Sequence, residues 1–244
     1  MISSIQLLHH FGQFGDLVSL QQAITLLKEL VGSTSVWNDW YRKGLGNLGM
    51  ALSYRFNRLG HLSDLEDAIS MLRRTVDLTH GHPDKPTCLN NLGLSLKVRF
   101  RRTGELRDLE RAILTLRDAI CLTPHGHPDR PGRFSNLGYA FKVRFLRLGE
   151  LSDIEHAISR HRDAVDLTSH AHPDRPGCLN DLGDSLITHF ERLRLGELSD
   201  LADAISVLRD VVDLTPHGHP GKPARLNNLG NPFITRFKRL WGAE

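Results

Sequence analysis

From Arg130 to Leu148 the apolar side chains Phe134, Leu137, Ala140, Phe141, Val143, Phe145 and Leu148 fall largely at three- and four-residue steps. That spacing gathers them on one face of an α-helix. Asp129, just ahead, is expected to cap the free amides of this helix, with Pro131 tolerated in its first turn. Gly149 is expected to stop it, because glycine accepts the left-handed conformation at a helix end. A second helix is expected to open at Ser152-Asp153-Ile154-Glu155, which has the Ser-x-x-Glu form of a capping box. Its apolar positions Ile154, Ala157, Ile158, Val165 and Leu167 run to about Thr168. The stretch Ser169-His170-Ala171-His172-Pro173 ends it, since proline cannot continue a helix and biases the residue before it toward extended geometry.

This unit of helix A, glycine turn, helix B and His-Pro loop is written five times. The glycines of the N-L-G element are Gly49, Gly93, Gly138, Gly183 (as D-L-G) and Gly230, and the A-I alanines are Ala23, Ala68, Ala112, Ala157 and Ala204. A period between 20 and 50 residues marks a repeat array in which each unit leaves an apolar face for its neighbour to cover. The fold class expected is all-α, a solenoid of antiparallel helix pairs with about 10–11 helices. Residues 1–244 read as one array, with units at roughly 1–36 (partial), 37–82, 83–127, 128–172, 173–219 and 220–244 (partial). Gly93 and Gly138 lie within helix A, where glycine costs roughly 1 kcal/mol against alanine, so close approach of a neighbouring helix is expected there. Ala112 and Ala157 are expected to serve the same purpose in helix B. Phe56, Phe100, Phe145, Phe190 and Phe237 recur in register and are expected to form core between units.

The ends depart from the pattern. Residues 2–13 resemble the last part of a helix A, residues 17–31 a helix B, and the His-Pro loop is missing between Gly32 and Trp40. Two extra residues within 191–195 are expected to lengthen one A–B turn. Pro232 falls inside the last helix A, which has no helix B after it, so Phe233, Phe237, Leu240 and Trp241 are expected to be partly exposed and to offer a surface for association. The chain reads as a segment or a worn copy of a longer array.

Composition narrows the classes. No stretch of about 18 uncharged apolar residues is present, so no membrane span is expected. The first ten residues lack a basic region followed by a long apolar block, so no secretion signal is expected. The three cysteines, Cys88, Cys121 and Cys178, are scattered, which fits reduced thiols and a cytoplasmic, intracellular setting. A formal charge of +3 is too small to imply nucleic acid.

Ala112, Ala119 and Pro124, at steps of seven and five, together with Leu92-Gly93 and Leu96, resemble the pattern of a tetratricopeptide (TPR) repeat. The longer repeat, with Leu89-Asn90-Asn91-Leu92-Gly93 and Leu226-Asn227-Asn228-Leu229-Gly230, is similar to the kinesin-light-chain type. The H-P-D-R-P loop and the G-E-L-x-D-L-E-x-A-I turn resemble fungal TPR arrays that often precede a CHAT protease domain. Thr75 and Val211 at a small-residue position, and His161 at a large apolar one, depart from the pattern. The resemblance implies a right-handed TPR superhelix whose helix A row lines a concave groove.

By that correspondence the groove asparagines would be Asn47, Asn91, Asn136 and Asn228, with Asp181 interrupting the series. An amide side chain donates and accepts, so a ladder of them can pair with the main chain of an extended peptide of any sequence. The same amides could instead bond a neighbouring helix and hold the repeat in register. Lys97 and Lys142, one turn after the glycines, are expected to face the groove, and Arg99 and Arg144 recur just before the phenylalanines. A row of positive charge favours an acidic partner; the competing reading is a solvated face paired with carboxylates of the next unit. The four H-x-H pairs, His80/His82, His125/His127, His170/His172 and His217/His219, are expected to cover helix ends together with Asp84, Asp129 and Asp174, because no Cys or carboxylate cluster completes a metal site. No nucleophile elbow, zinc-protease motif or phosphate loop is present, so no catalytic residue, metal or cofactor is expected. The function expected is a protein–protein interaction scaffold that binds a peptide or partner domain in the helix A groove. The alternative is a regulatory arm of a larger signalling protein carrying a CHAT-type protease outside this chain.

Overall fold

Helix boundaries fall where the repeat punctuation stands. The computed structural model describes residues 3–192 and 198–241, with side chains described for 3–192 and 201–234. The described residues form eleven α-helices and no strand. They divide into two compact units, Met1–Thr123 and Pro124–Glu244, which part at the start of a His-Pro loop. The first unit holds α1 (Ser4–Phe14), α2 (Leu17–Ser33), α3 (Asp39–Leu59), α4 (Leu62–Asp77), α5 (Lys85–Thr103) and α6 (Leu106–Cys121). The second holds α7 (Arg130–Leu148), α8 (Leu151–Asp166), α9 (Arg175–Arg192), α10 (Leu198–Asp213) and α11 (Lys222–Trp241). Odd-numbered helices are helix A and even-numbered ones helix B. Inside each unit every helix packs on its neighbours in sequence, so α2, α4, α8 and α10 are each covered both by their own helix A and by the next one. This is the stacking of an all-α helical-repeat solenoid.

Phe11, Phe56, Phe100 and Phe145 each do two things. Their rings are buried, and their carbonyls accept the N–H of Gly15, Gly60, Gly104 and Gly149 at 2.7 Å. Those glycines sit at φ 68–79°, which closes helix A as expected from the sequence. Phe190 is also buried, while Phe237 and residues 193–195 of the segment expected to carry the two-residue insertion lie outside the residues whose side chains are described. Phe56 joins Leu65, Ile69 and Leu72 of its own hairpin to Leu92, Leu96 and Ala112 of the next, which makes the core continuous from one repeat to its neighbour.

Gly49, Gly93, Gly138 and Gly183 are close-packing sites. A Cβ on Gly49 would lie 2.7 Å from Leu72 Cγ, on Gly93 2.7 Å from Leu116 Cγ, and on Gly183 2.8 Å from Leu208 Cδ2. At Gly138 the facing residue is His161, which is 1% exposed. Its Nδ1 lies 2.9 Å from Ser185 Oγ and its Nε2 3.3 Å from the Ser135 carbonyl. The carbonyl can only accept, so Nε2 carries the proton and Nδ1 accepts from the hydroxyl. Burial pushes the His161 pKa down to about 4.

Two capping expectations are corrected. α8 begins at Leu151 with Glu150 as its N-cap, and no side-chain cap bond forms there. Asp153 is already committed, because Arg144 grips it through Nε at 2.8 Å and a second nitrogen at 2.5 Å. Arg55–Asp64 and Arg99–Asp108 repeat this two-point grip in the other hairpins. Asp129 makes no side-chain cap bond either. The histidine two residues earlier ties down the residue ahead of the helix: Nδ1 of His82, His127, His172 and His219 accepts the backbone N–H of Asp84, Asp129, Asp174 and Gly221 at 3.0–3.1 Å. The second histidine of each H-x-H pair therefore closes its loop.

Candidate functional site

A groove in the first unit brings together α1, α3 and α5, with α2 and α4 behind them. It encloses about 310 Å³, and its lining includes Ile5, Leu30, Trp40, Met50, Asn47 and Asn91. Asn47 and Asn91 are half-buried, and among the described residues their side-chain amides bond to nothing. They belong to successive A helices, so their amides stand one repeat apart on the same wall.

The other two asparagines of the series differ. Asn136 is half-buried and already engaged. Asn228 donates through Nδ2 to Asn180 Oδ1 at 3.0 Å, an amide pair that ties α11 to α9. Asn228 still borders a space of about 370 Å³ in the second unit, beside Asp184, Ile187 and Asn231. The series therefore splits into two free amides and two that are in use.

The positive row is used internally. Arg99 and Arg144 hold Asp108 and Asp153, whose side chains are only 8% and 3% exposed. These carboxylates belong to helix B of the same hairpin, which corrects the expectation of pairing with the next unit. Lys142 does reach the next helix A, where it pairs with Asp184, and Lys97 is buried and not free. At the mouth of the first-unit groove, Arg42 is 6% exposed and bonds Asp39 at 2.5 Å and Asp84 at 3.0 Å. Lys43 adds a second contact to Asp39 at 2.8 Å. Together Lys43 and Arg42 hold the Asp39 carboxyl down at about 2. These ion pairs leave the groove close to neutral.

Two groove features were not singled out in the sequence. Gly44 and Gly46 stand where the later repeats carry Cys88 and Asn90, Arg133 and Ser135, Cys178 and Asn180, and Arg225 and Asn227. Only a comparison of the repeats position by position shows this. Interior glycine costs roughly 1 kcal/mol, yet a Cβ on Gly46 would meet just Thr75 Cγ2, at an ordinary 3.5 Å. Close helix packing does not account for that glycine. Trp40, 60% exposed beside the groove with Lys43 over its ring, lies in the segment where the sequence shows a missing His-Pro loop.

Burial pushes the Cys88 and Cys178 thiols up, and Cys121 is exposed. No group of three or more metal-ligating side chains occurs among the described residues, and none of their helices is long and apolar enough to cross a membrane.

No family model and no curated protein matches the sequence. Solved structures do match the fold. Nearly identical TPR-like repeats of a putative kinesin light chain from Podosopora anserina align with a TM-score of 0.61 at 16% identity, covering 86% of this chain and 92% of that one. BtubC (BKLC) from P. vanneervenii aligns at 0.65 and 15% identity, over 89% of this chain and 84% of that one. MamA aligns at 0.53 and 16% identity, over 80% and 88%. The fold is that of a TPR-like repeat protein. At these identities the likeness is one of architecture, and the chemistry of the groove has to be read from this chain's own residues.

Proposed function

We propose that this chain is a protein-interaction scaffold that binds an extended peptide along its helix A row, with Asn47 and Asn91 pairing with the peptide main chain. The observation that carries the reading is two unpartnered amides, one repeat apart, lining a groove whose exposed surface is mainly apolar and whose charges are paired with one another. A half-buried amide with no internal bond gains little for the fold, whereas a main-chain N–H and C=O would satisfy both of its ends. The groove cations are committed to Asp39 and Asp84, so an uncharged or mixed segment fits better than the acidic one expected from the sequence. Asn136 and Asn228 would then act mainly in holding their repeats, and Arg99, Arg144, Lys97 and Lys142 in bracing helices.

The test is to pan a displayed library of random peptides against the full chain and remeasure the selected peptides on Asn47→Ala and Asn91→Ala. Binding should fall by about tenfold for each change, the scale of one lost hydrogen bond of about 1.4 kcal/mol. Melting should stay where it is. Unchanged binding in both variants, or a melting loss as large as that of a core mutant, would show that the amides do not contact ligand.

A further inference from the structure

We propose that the cavity over Gly44 and Gly46 is a subsite for one uncharged, apolar side chain of the bound peptide. This rests on the groove reading above and adds what that groove selects. The space opens over Gly46, where every later repeat carries a side chain; Gly44 lines it as well, but a Cβ there would already lie 3.1 Å from Val31 Cγ2 and 3.2 Å from Leu30 Cδ2. Its wall is formed by Leu27, Leu30 and Met50, with Trp40 and Ile5, both 60% exposed, at the edge. About 310 Å³ lies at the small end of ligand pockets, and an apolar lining with a few placed polar groups is the usual composition of such sites. The charges at the mouth are mutually paired: Arg42 with Asp39 and Asp84, and Lys43 with Asp39. A charged side chain would find no free counter-ion here and would lose its hydration, whereas an uncharged one would lose neither. Asn47 and Asn91 border the same space, so a main chain held by their amides would set one side chain over the two glycines.

Cys88 lines this cavity, while the exposed Cys121 lies outside it. The test uses the full chain and N-acetyl amides of leucine, tryptophan, glutamate and lysine as probes, each with a main-chain analogue and one side chain. The readout is the rate of Cys88 alkylation by iodoacetamide, with Cys121 as internal reference. The leucine and tryptophan amides should slow Cys88 several-fold and leave Cys121 unchanged; the glutamate and lysine amides should slow neither. Gly46→Asn, which places at this position the residue found at positions 90, 180 and 227, should abolish the slowing while the melting temperature holds or rises. Equal slowing by the charged amides, no slowing by any probe, or slowing that survives in Gly46→Asn would overturn the subsite. Selected peptides that bind the chain yet leave the Cys88 rate unchanged would overturn the subsite and leave the groove reading standing. If no peptide binds the chain, the groove reading fails and the subsite fails with it.

Discussion

Replacing His161 with leucine should make the third full repeat tolerant of acid. Leu72, Leu116 and Leu208 hold the equivalent place in the other repeats, each against an interior glycine. His161 fills the same space with a ring that burial holds at a pKa of about 4, against 6.5 for a free imidazole. Lys142 opposes its protonation and Asp184 favours it, but both are weaker influences than burial. Between pH 6.5 and about 4 the unfolded chain binds this proton and the folded chain does not. Stability is therefore intact above about pH 6.5, falls as pH drops through that window, and levels off below about pH 4. At about 1.4 kcal/mol per pH unit, the loss from this one group is about 3 kcal/mol. Urea unfolding of wild type and His161→Leu, followed by helical circular dichroism from neutral to mildly acid pH, isolates the effect as a difference curve, since the carboxylates common to both chains cancel. The curve should slope by about 3 kcal/mol in favour of leucine on going to acid. Its level at neutral pH is a separate matter, because leucine strands the Ser185 hydroxyl while adding apolar contact. Parallel pH profiles for the two proteins, or a His161 imidazole that titrates near 6.5 by NMR in the folded chain, would refute the assignment of a buried neutral ring.

Other consequences follow from the same contacts. Arg144→Met should cost about 3 kcal/mol in urea unfolding, because it leaves Asp153 charged and buried, and high salt should change that cost little. Gly93→Ala should destabilise by about 1–3 kcal/mol despite its better helix propensity, since the added methyl meets Leu116; Gly46→Ala should stabilise by about 0.5–1 kcal/mol because it meets only ordinary contact. Thermal melts of the two alanine variants should therefore move in opposite directions. His172→Ala should cost about 1 kcal/mol through the lost loop acceptor, while Asp174→Ala should stay within about 0.5 kcal/mol. If the aspartate variant proves the worse of the two, the cap assignment is reversed.

Helix number, helix ends and the packing glycines were legible in the sequence because each rests on a local rule. Gly149 must accept a left-handed φ, Phe145 must fall on the apolar stripe, and Gly93 must face something close. What could not be read was which of several polar groups wins a shared partner. Ser152 and Glu155 have the spacing of a capping box, but Asp153 lies within reach of Arg144 across the turn, and a buried two-point ion pair outweighs an exposed cap. His127 accepts the backbone N–H of Asp129 itself, because a Pro-Asp turn brings the imidazole, two residues back, to that amide, while the Asp129 carboxylate goes to Arg133 and leaves the first helical amides uncapped by a side chain.

The groove was only half legible for a related reason. Residue type places Asn47, Asn91, Asn136 and Asn228 in one column, but whether an amide is free depends on its neighbour on an adjoining helix A, and that neighbour varies. Asn228 finds Asn180 on the preceding helix A, while Asn91 has Gly46 at the equivalent place, which offers no side chain to bond. A repeat holds its fold through the positions its copies share, so a shared position is constrained first by stacking. A ligand is best met where one copy has given up a side chain that its siblings keep and the stack does not ask for the gap. By that criterion the first full repeat, with Gly46 open in its α3 and Trp40 nearby, is where recognition by this chain should be concentrated.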